Sequence, residues 1–327
     1  MLNSIFKRRE YLLAAIIMVM VLAISFRSPS FIYLKNVLGT LNDTSILMML
    51  ACAQMFVILT RCIDLSVGAN IALTGMVVAS LNAAYPGLPI VALLVIALAL
   101  GLFLGAINGF FVWKFDIPPI VVTLGTMAIY RGLVFVLAGG SWINSHQMSE
   151  SFLAFPRTEV LGMQLLTWFG LAAVAGMYVL SRYTRLGRQF YAIGDNPSAA
   201  VYMGITVGKV KFKAFCLSGM VAGLCGYFWV SRYAVAYVDI AAGFELQTVA
   251  ACVIGGISIA GAIGTVGGAV LGALFLGVVN NALPVINISP FWQMAISGTV
   301  IILAVVFNAQ SERKQGRTIL KNKGAEA

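Results

Sequence analysis

The sequence predicts an all-α fold, a polytopic bundle of about ten transmembrane helices, and three observations support it. Hydrophobic residues make up 61% of the 327-residue chain and charged residues only 10%, whereas soluble domains contain about 25% charged residues. The mean hydropathy is +0.96, and the apolar residues are grouped in long runs. The basic residues are concentrated in alternate loops. Because no soluble core can cover this much apolar surface, the solvent of the fold must be lipid.

Ten apolar runs define the predicted helices, and one span needs about 20 residues. The runs cover about residues 11–26, 46–60, 67–84, 88–112, 118–137, 164–183, 212–231, 245–261, 265–283 and 291–307. Several are short or contain Gly, Asn or Pro, which is tolerated where the backbone is buried in protein or lines a cavity. The first run follows the basic stretch Lys7–Arg9 like a secretory signal, but no small-x-small cleavage pattern comes after it. We therefore expect it to remain as a mature helix.

Loop charge predicts the orientation in the membrane. With a cytoplasmic N-terminus, 16 lysines and arginines fall on the cytoplasmic side and four on the exterior, while Arg131 lies within a run. Cytoplasmic loops carry such an excess of basic residues. We therefore expect a single membrane domain over residues 1–327 with both termini in the cytoplasm. The net charge of +10 is explained by this orientation and does not indicate nucleic acid.

An internal repeat relates the two halves of the chain. Leu102-Phe103-Leu104-Gly105-x-x-Asn108 recurs as Leu274-Phe275-Leu276-Gly277-x-x-Asn280, Ile117-x-Pro119 recurs as Ile288-x-Pro290, and Gly125-Thr126 recurs as Gly298-Thr299. The repeat units, about 46–137 and 218–309, lie five spans apart. Because five is odd, we predict that their topology is inverted. Inverted repeats place a substrate path at their interface, near the bilayer midplane.

The longest cytoplasmic loop between spans, about residues 184–211, contains a predicted docking helix. Asn196 can cap the first backbone N–H groups, and Pro197 suits the first helical position. Gly204 then ends the helix. A helix of about two turns is too short to be stable alone in water. The segment Pro197–Met203 must therefore dock on its own protein or on a partner.

Nothing in the sequence predicts catalysis or nucleotide binding. The stretch from Gly204 to Val210 resembles a phosphate loop, but its glycine spacing is one residue short and Val210 stands where a Ser or Thr should bind magnesium. The five cysteines lie mostly in apolar runs without ligand spacing, which suits packing rather than disulfides or a metal site. His146 is the single histidine, so neither a metal site nor a catalytic triad is predicted.

Several sequence blocks resemble a known family. They are Ile63-Asp64-Leu65-Ser66-Val67-Gly68, Thr123–Thr126 with Tyr130–Gly132, Gly187–Asn196 with Ala199-Ala200 and Gly204-Ile205, Val253–Ser258 with Gly264-Thr265, and Asn280-Asn281 with Ser289–Gln293. In this order, over roughly residues 45–310, the chain resembles the ribose/xylose/galactose-type permease subunits of ABC monosaccharide importers.

Departures from the family pattern suggest a branch. Arg61-Cys62 stands where the family has a glycine pair, Gly261-Ala262 replaces a Gly-Gly, and Pro284 interrupts the segment after Asn280-Asn281. Thr60-Arg61 and Tyr130–Gly132, with Gly139–Ile143, are similar to the autoinducer-2/rhamnose-like branch.

The resemblance implies a fold, a location and partners. The fold would be the ten-span bundle of vitamin B12-type importers, in a bacterial inner membrane. The partners would be a second permease subunit in a homo- or heterodimer, cytoplasmic ABC ATPase subunits that bind ATP and Mg²⁺, and a periplasmic sugar-binding protein. This chain would need no cofactor. Candidate residues for coupling to the ATPase are Gly187, Arg188, Gly194, Asp195, Asn196, Pro197, Ala199, Ala200, Tyr202, Met203 and Gly204.

Polar residues within the runs are candidates for the solute path, because amides and hydroxyls both donate and accept hydrogen bonds and can exchange partners as a sugar passes. The candidates are Asn70, Asn108, Thr123, Thr126, Gln247, Thr248, Asn280, Asn281, Gln293 and Ser297. The alternative for each residue is interhelical packing, where such side chains contribute about 0.6 kcal/mol on average.

Other functions remain open on the sequence. A branched-chain amino acid ABC permease is the nearest alternative. An ion-coupled secondary transporter would fit the inverted repeat and the charges of Asp64 and Arg131, but it does not need a docking helix. A membrane scaffold would not explain the polar residues within spans. We expect Arg131, which stays protonated at any working pH, to pair with carbonyl groups or with a carboxylate such as Asp64.

Overall fold

A computed structural model describes residues 2–285, with side chains from Glu10 onward, together with Trp292, Ala295, Gly298, Thr299 and Ile302. Most of the tenth predicted span, 291–307, and part of the second repeat unit lie outside the described residues. Within them the chain is a helical bundle, and eight helices are long and apolar enough to cross a membrane. The predicted fold class, a polytopic all-α bundle, is therefore confirmed.

The twelve α-helices of the described part follow the apolar pattern of the sequence. They are α1 Leu2–Arg27, α2 Leu34–Leu59, α3 Val67–Ala84, α4 Ile90–Lys114, α5 Pro119–Ala138, α6 Glu150–Ala154, α7 Leu165–Tyr183, α8 Arg185–Asp195, α9 Pro197–Tyr202, α10 Val207–Tyr233, α11 Phe244–Ile254 and α12 Val266–Val285. Two small antiparallel pairs accompany them: β1 Ile143–Asn144 with β4 Val235–Ala236, and β2 Glu159–Val160 with β3 Met163–Gln164.

The eighth predicted span, 245–261, is wrong. The structure has only α11 there, with 11 residues, which at 1.5 Å per residue is about 16 Å long and crosses half of a bilayer core of about 30 Å. Gly255 ends the helix, and Gly256 has a positive φ of 82°. Irregular backbone then continues to Thr265. The count of ten full spans is therefore not supported by the described residues.

The second predicted span began too late, because α2 starts at Leu34 rather than near residue 46. The sequence indicates a loop at Asn42, Asp43 and Thr44, since all three are polar. In the structure Asn42 donates from Nδ2 to Gln164 Oε1 at 2.7 Å, and the Thr44 hydroxyl donates to the Thr40 carbonyl at 2.7 Å. Polar side chains that find partners in this way do not interrupt a helix.

Helices α4 and α10 cross closely in the bundle, at small residues. A Cβ atom on Gly105 would lie 2.3 Å from the Phe215 carbonyl oxygen, and one on Gly219 would lie 2.4 Å from the Gly101 carbonyl oxygen. Small residues four apart let two backbones approach this closely in a membrane, where packing rather than the hydrophobic effect holds helices together. The crossing forms a rigid centre against which α3 also packs.

The bundle has two ends that differ in charge. Helices α2, α4, α7 and α11 finish at one end, which we call the basic end. It carries Arg61, Lys114, Arg182, Arg185, Arg188, Lys209, Lys211 and Lys213. The opposite end is closed by the β1–β4 pair, by the Arg232–Asp43 ion pair, and by an Asn82 Nδ2 donor to Ser149 Oγ.

Two non-helical segments enter the bundle, one from each end, and each carries some buried residues. Arg61–Ser66 leads from α2 to α3, and Asp64 and Ser66 are each 1% exposed. Ala234–Gly243 leads from α10 to α11, and its residue Ile240 is fully buried. The first turns of α3 and α11 meet, because the Ala241 carbonyl lies directly over the backbone of Gly68. Polar groups from both segments are thereby placed inside the bundle.

Candidate functional site

A buried carboxylate lies at the start of α3. Asp64 Oδ1 accepts hydrogen bonds from the Ser66 backbone N–H at 3.0 Å and from the Ser66 hydroxyl at 2.7 Å, and Oδ2 accepts from the Ser218 hydroxyl at 3.0 Å. These three donors compensate for the loss of water around a buried charge. Asp64 therefore joins the segment before α3 to the middle of α10.

The same network reaches two further helices. Asn108 of α4 donates from Nδ2 to Ser66 Oγ at 2.7 Å, and Thr126 of α5 donates from Oγ1 to Asn108 Oδ1 at 2.6 Å. The chain of polar groups from Asp64 through Ser66 and Asn108 to Thr126 is buried throughout. It fixes α3, α4, α5 and α10 relative to one another.

Three more of the candidate solute-path residues form hydrogen bonds to backbone carbonyls of this chain. Asn70 donates from Nδ2 to the Gly101 and Gly219 carbonyls at 3.3 and 3.4 Å, where α4 crosses α10. The hydroxyls of Thr123 and Thr248 donate to carbonyls of their own helices at 3.0 and 2.6 Å. Asn70, Thr123 and Thr248, like Asn108 and Thr126, are at most 6% exposed. In this conformation all five side chains are buried, and those of Asn70, Asn108 and Thr126 join one helix to another.

The remaining path candidates differ in position. Gln247, Asn280 and Asn281 are partly exposed. Asn281 lines a cavity of about 240 Å³ near the opposite end, together with Asn36 and Asp43. Gln293 and Ser297 lie outside the described residues. Of the ten predicted residues, the structure thus places three on partly open surface.

Arg131 of α5 binds backbone oxygens of the segment before α11. Its Nη1 donates to the Val238 carbonyl at 2.9 Å and to the Ile240 carbonyl at 2.7 Å. The expected pairing with carbonyls is confirmed, and the pairing with Asp64 is wrong, because Asp64 is satisfied by serines. The carboxylates that interact electrostatically with Arg131 are Glu245 and Asp239. Arg131 therefore anchors the inward segment Ala234–Gly243.

Sequence reasoning missed Glu245, a carboxylate in the first turn of α11. Its Oε1 accepts from the Gly243 backbone N–H at 3.1 Å, while Oε2 is buried without a hydrogen-bond partner. A Cβ atom on Gly68 would lie 2.7 Å from the Ala241 backbone carbonyl oxygen, and Glu245 Oε2 lies beside the same position, so this contact between α3 and the segment before α11 requires a residue without a side chain. The one available signal was an acidic residue inside an apolar run, since acids are favoured in the first turn of a helix.

The predicted docking helix is present as α9. Asn196 Oδ1 accepts from the Ala199 backbone N–H at 2.9 Å, and Pro197 occupies the first turn. Gly204 follows with a φ of 78°, which is the left-handed conformation of a glycine helix stop. The helix runs over Pro197–Tyr202, one residue shorter than predicted. The local capping rules therefore placed this element correctly.

An apolar surface, Val201–Met203, projects from the end of α9. Tyr202 is 92% exposed and Met203 67%, and Ala199 and Arg188 are also exposed. Ala200 is 0% exposed, so its side chain packs on its own chain and does not belong to a docking face. Of the two coupling candidates Ala199 and Ala200, only Ala199 is therefore exposed for contact with a partner. Such an exposed aromatic and methionine pair is typical of interface cores.

Helix α8 packs against the basic end of the bundle and thereby holds the surface Val201–Met203 there. Phe190 packs on Phe56 of α2 with ring centroids 5.2 Å apart, and the Tyr191 hydroxyl donates to the Gly264 carbonyl at 2.9 Å. Gly187 and Gly194 lie within α8 rather than at turns, and both are close-contact positions, since a Cβ atom on Gly194 would lie 2.0 Å from the Leu59 carbonyl oxygen. The α8–α9 unit is therefore attached to two membrane segments at once.

Comparisons with known protein sequences give matches over most of the chain. The profile of a family described as "Branched-chain amino acid transport system / permease component" matches residues 36–305. The chain is 36% identical over 301 residues to the ribose import permease protein RbsC of Escherichia coli (strain K12), covering 90% of this chain and 92% of the relative. It is 34% identical over 327 residues to the autoinducer 2 import system permease protein LsrC of Shigella flexneri, covering 99% and 94%. No solved structure matches.

Proposed function

The chain belongs to the permease-component family described for branched-chain amino acid transport systems, and from this premise we propose how it imports its solute. It is the transmembrane permease subunit of an ABC importer. The curated relatives are import permeases for ribose and for autoinducer 2, which favours a monosaccharide or sugar-like solute over a branched-chain amino acid. Those relatives are transport proteins rather than enzymes, so ATP is hydrolysed by a partner subunit.

The orientation follows from charge. We place the basic end in the cytoplasm of a bacterial cell and the opposite end outside the inner membrane, because basic residues accumulate on the cytoplasmic side. Both termini would then be cytoplasmic. A periplasmic sugar-binding protein would deliver solute to the opposite end, and a second permease subunit would complete the pore.

The inverted repeat is supported by the way the helices pair. Helix α10 begins 173 residues after α2, and the pair α4–α10 has its counterpart in the pair α12–α2. Gly105 and Gly277, which are 172 residues apart, are approached by Phe215 of α10 and by Thr44 of α2. A path between the repeats would run near the midplane, with the partly exposed amides of Gln247, Asn280 and Asn281 as solute contacts.

The surface Val201–Met203 is the proposed docking site for the ATPase subunit. Its exposure next to a capped helix in the basic loop is the single observation that carries this assignment. When ATP closes the two ATPase subunits, the docked α8–α9 unit moves as a rigid body and shifts the helices attached to it. Residues Gly187, Arg188 and Gly194–Gly204 belong to this unit.

A pull-down experiment tests the docking site. We expect Tyr202→Ala to weaken association with the ATPase subunit by about tenfold or more, as loss of an aromatic anchor does, and to reduce uptake in parallel. The matched control is Tyr85→Ala, an exposed tyrosine at the opposite end, which should leave association unchanged. Membrane insertion should be normal for both variants. Wild-type association of Tyr202→Ala would exclude this surface as the docking site.

A further inference from the structure

Arg61 connects the docking unit to the membrane segments through two hydrogen bonds. Its Nε donates to the Gly194 carbonyl at 2.7 Å, and its Nη2 donates to the Asp195 carbonyl at 2.9 Å. Both acceptors are at the end of α8, immediately before α9. Donors on one planar guanidinium fix direction as well as distance. Arg61 is thus bonded to the backbone next to the proposed docking helix.

The backbone around Arg61 is a junction of three segments. The Ala262 backbone N–H donates to the Leu59 carbonyl at 3.2 Å, which attaches the α11–α12 segment to the end of α2. A Cβ atom on Gly261 would lie 2.6 Å from Arg61 Cγ. The stem of Arg61, which is exposed on its other side, therefore lies against the segment after α11 and beside the ends of α2 and α8.

Arg61 is also joined covalently to the buried polar network. It lies three residues before Asp64, whose carboxylate binds Ser66 and Ser218. Through Ser66 the network continues to α4 and α5. A displacement of Arg61 along the chain would therefore reach four membrane helices over a short path that is buried and hydrogen-bonded from Asp64 onward.

The conformation of Arg61 indicates that its side chain matters. Its φ is 62°, the left-handed region in which glycine is unstrained and a residue with a Cβ is not. Glycine would suit the turn better, so an arginine here is explained by what its guanidinium does. Strain of this kind points to a functional constraint.

We propose that Arg61 is a positioning residue that transmits movement of the docking unit to the segment Arg61–Ser66 and so to α3, α4, α5 and α10. This inference rests on the proposed docking function of Val201–Met203. Without the guanidinium, the ATPase would still bind and move α9, but the segment Arg61–Ser66 would no longer follow. Import would then be uncoupled from ATP hydrolysis.

Hydrogen–deuterium exchange on the complete complex with its ATPase subunits tests the proposal, with and without MgATP and vanadate. The variants are Arg61→Gly, which keeps the turn, and Arg61→Lys, which keeps the charge but lacks the planar pair of donors that binds the two carbonyls. The matched control is Arg157→Gly, since Arg157 also donates to a backbone carbonyl but at the opposite end. Two peptides are followed, one covering residues 62–70 and one covering 196–204.

In Arg61→Gly, we expect the nucleotide-induced change in hydrogen exchange at residues 62–70 to fall by about fivefold or more. A coupling free energy between two sites typically corresponds to a factor of at least this size. Protection of 196–204 by the ATPase should stay at the wild-type level. Arg61→Lys should give an intermediate change at 62–70, and Arg157→Gly should behave like the wild type.

Two results would overturn the inference. A full nucleotide-induced change at 62–70 in Arg61→Gly would show that the movement travels by another path. Loss of protection at 196–204 in the same variant would show that Arg61 only shapes the docking unit. The wild-type complex alone tests the docking function. If the ATPase subunits do not protect residues 196–204 in the wild type, the docking function itself is overturned.

Discussion

Asp64 places a carboxyl group inside the bundle, and the hydrogen bonds around it explain how it is accommodated. The carboxylate accepts from one backbone N–H and two hydroxyls, so its oxygens are satisfied without a cation. Among the described side chains the only ion pair is Arg232–Asp43 at the opposite end. Buried polar groups that are fully paired hold a fold in one arrangement, and Asp64 does this for α3 and α10.

Replacing Asp64 by asparagine tests this role. We expect Asp64→Asn to lower the free energy of unfolding by about 2 kcal/mol, because an amide places donors where three donors already point. The measurement is thermal unfolding of the purified permease in detergent. Asp116→Asn is the matched control, since Asp116 is exposed with a φ of 50° that asparagine tolerates. Equal stability of both variants would contradict a structural role for Asp64.

For single residues, the sequence predicted only those contacts that form between neighbours in the chain. The cap at Asn196 and the stop at Gly204 follow from residues within one turn, and both were predicted. The partners of Asp64 and Arg131 could not be assigned, because Ser218 is 154 residues from Asp64 and Ile240 is 109 residues from Arg131. Glu245 was missed for the same reason, since its importance comes from Gly68 on another helix.

Helices α4 and α10 are the elements whose packing depends most on residue size. At their crossing Gly105 and Gly219 face each other's backbone, and no side chain fits between them. A larger residue would push the helices apart and stretch the Asn70 hydrogen bonds to the Gly101 and Gly219 carbonyls. The network at the start of α3 would be displaced with them.

Adding a single methyl group at the α4–α10 crossing tests how tightly the two helices pack. We expect Gly105→Ala to destabilise the permease by about 1–3 kcal/mol, the range for overpacking a tight interior. Gly176→Ala on α7 is the matched control, because nothing lies within 4 Å of its added Cβ and alanine favours helix. The midpoint of thermal unfolding should fall for Gly105→Ala alone. A fall of equal size in both variants would show that the α4–α10 crossing is not tightly packed.

Element positions were predictable where hydropathy alone decides them and not where tertiary contacts do. Long apolar runs gave α3, α4, α5, α7 and α12 nearly to the residue. The run 245–261 contains apolar residues on both sides of a break at Gly255, so composition could not separate the half-helix α11 from the segment after it. Helix α2 extends through polar residues because Gln164, far along the chain, satisfies Asn42.

The described part of the chain joins the proposed docking unit at one end to inward segments that meet in the middle. The α8–α9 unit is attached to α2 through Arg61 and Phe190, and to the α11–α12 segment through Tyr191. The segment anchored by Arg131 meets α3 from the opposite end. A movement applied at the basic end can therefore change the contact between the first turns of α3 and α11, where a path between the repeats would close.

Uptake into proteoliposomes with the energy source controlled tests the central claim, that ATP hydrolysis by a docked partner powers import through this chain. The vesicles contain the permease with its ATPase subunits and binding protein, and ribose and autoinducer 2 are the trial solutes. We predict that uptake requires ATP, continues at an unchanged rate when a protonophore is added, and is lost in Tyr202→Ala. Uptake that collapses with the protonophore while ATP is held constant would contradict the account and indicate an ion-coupled transporter.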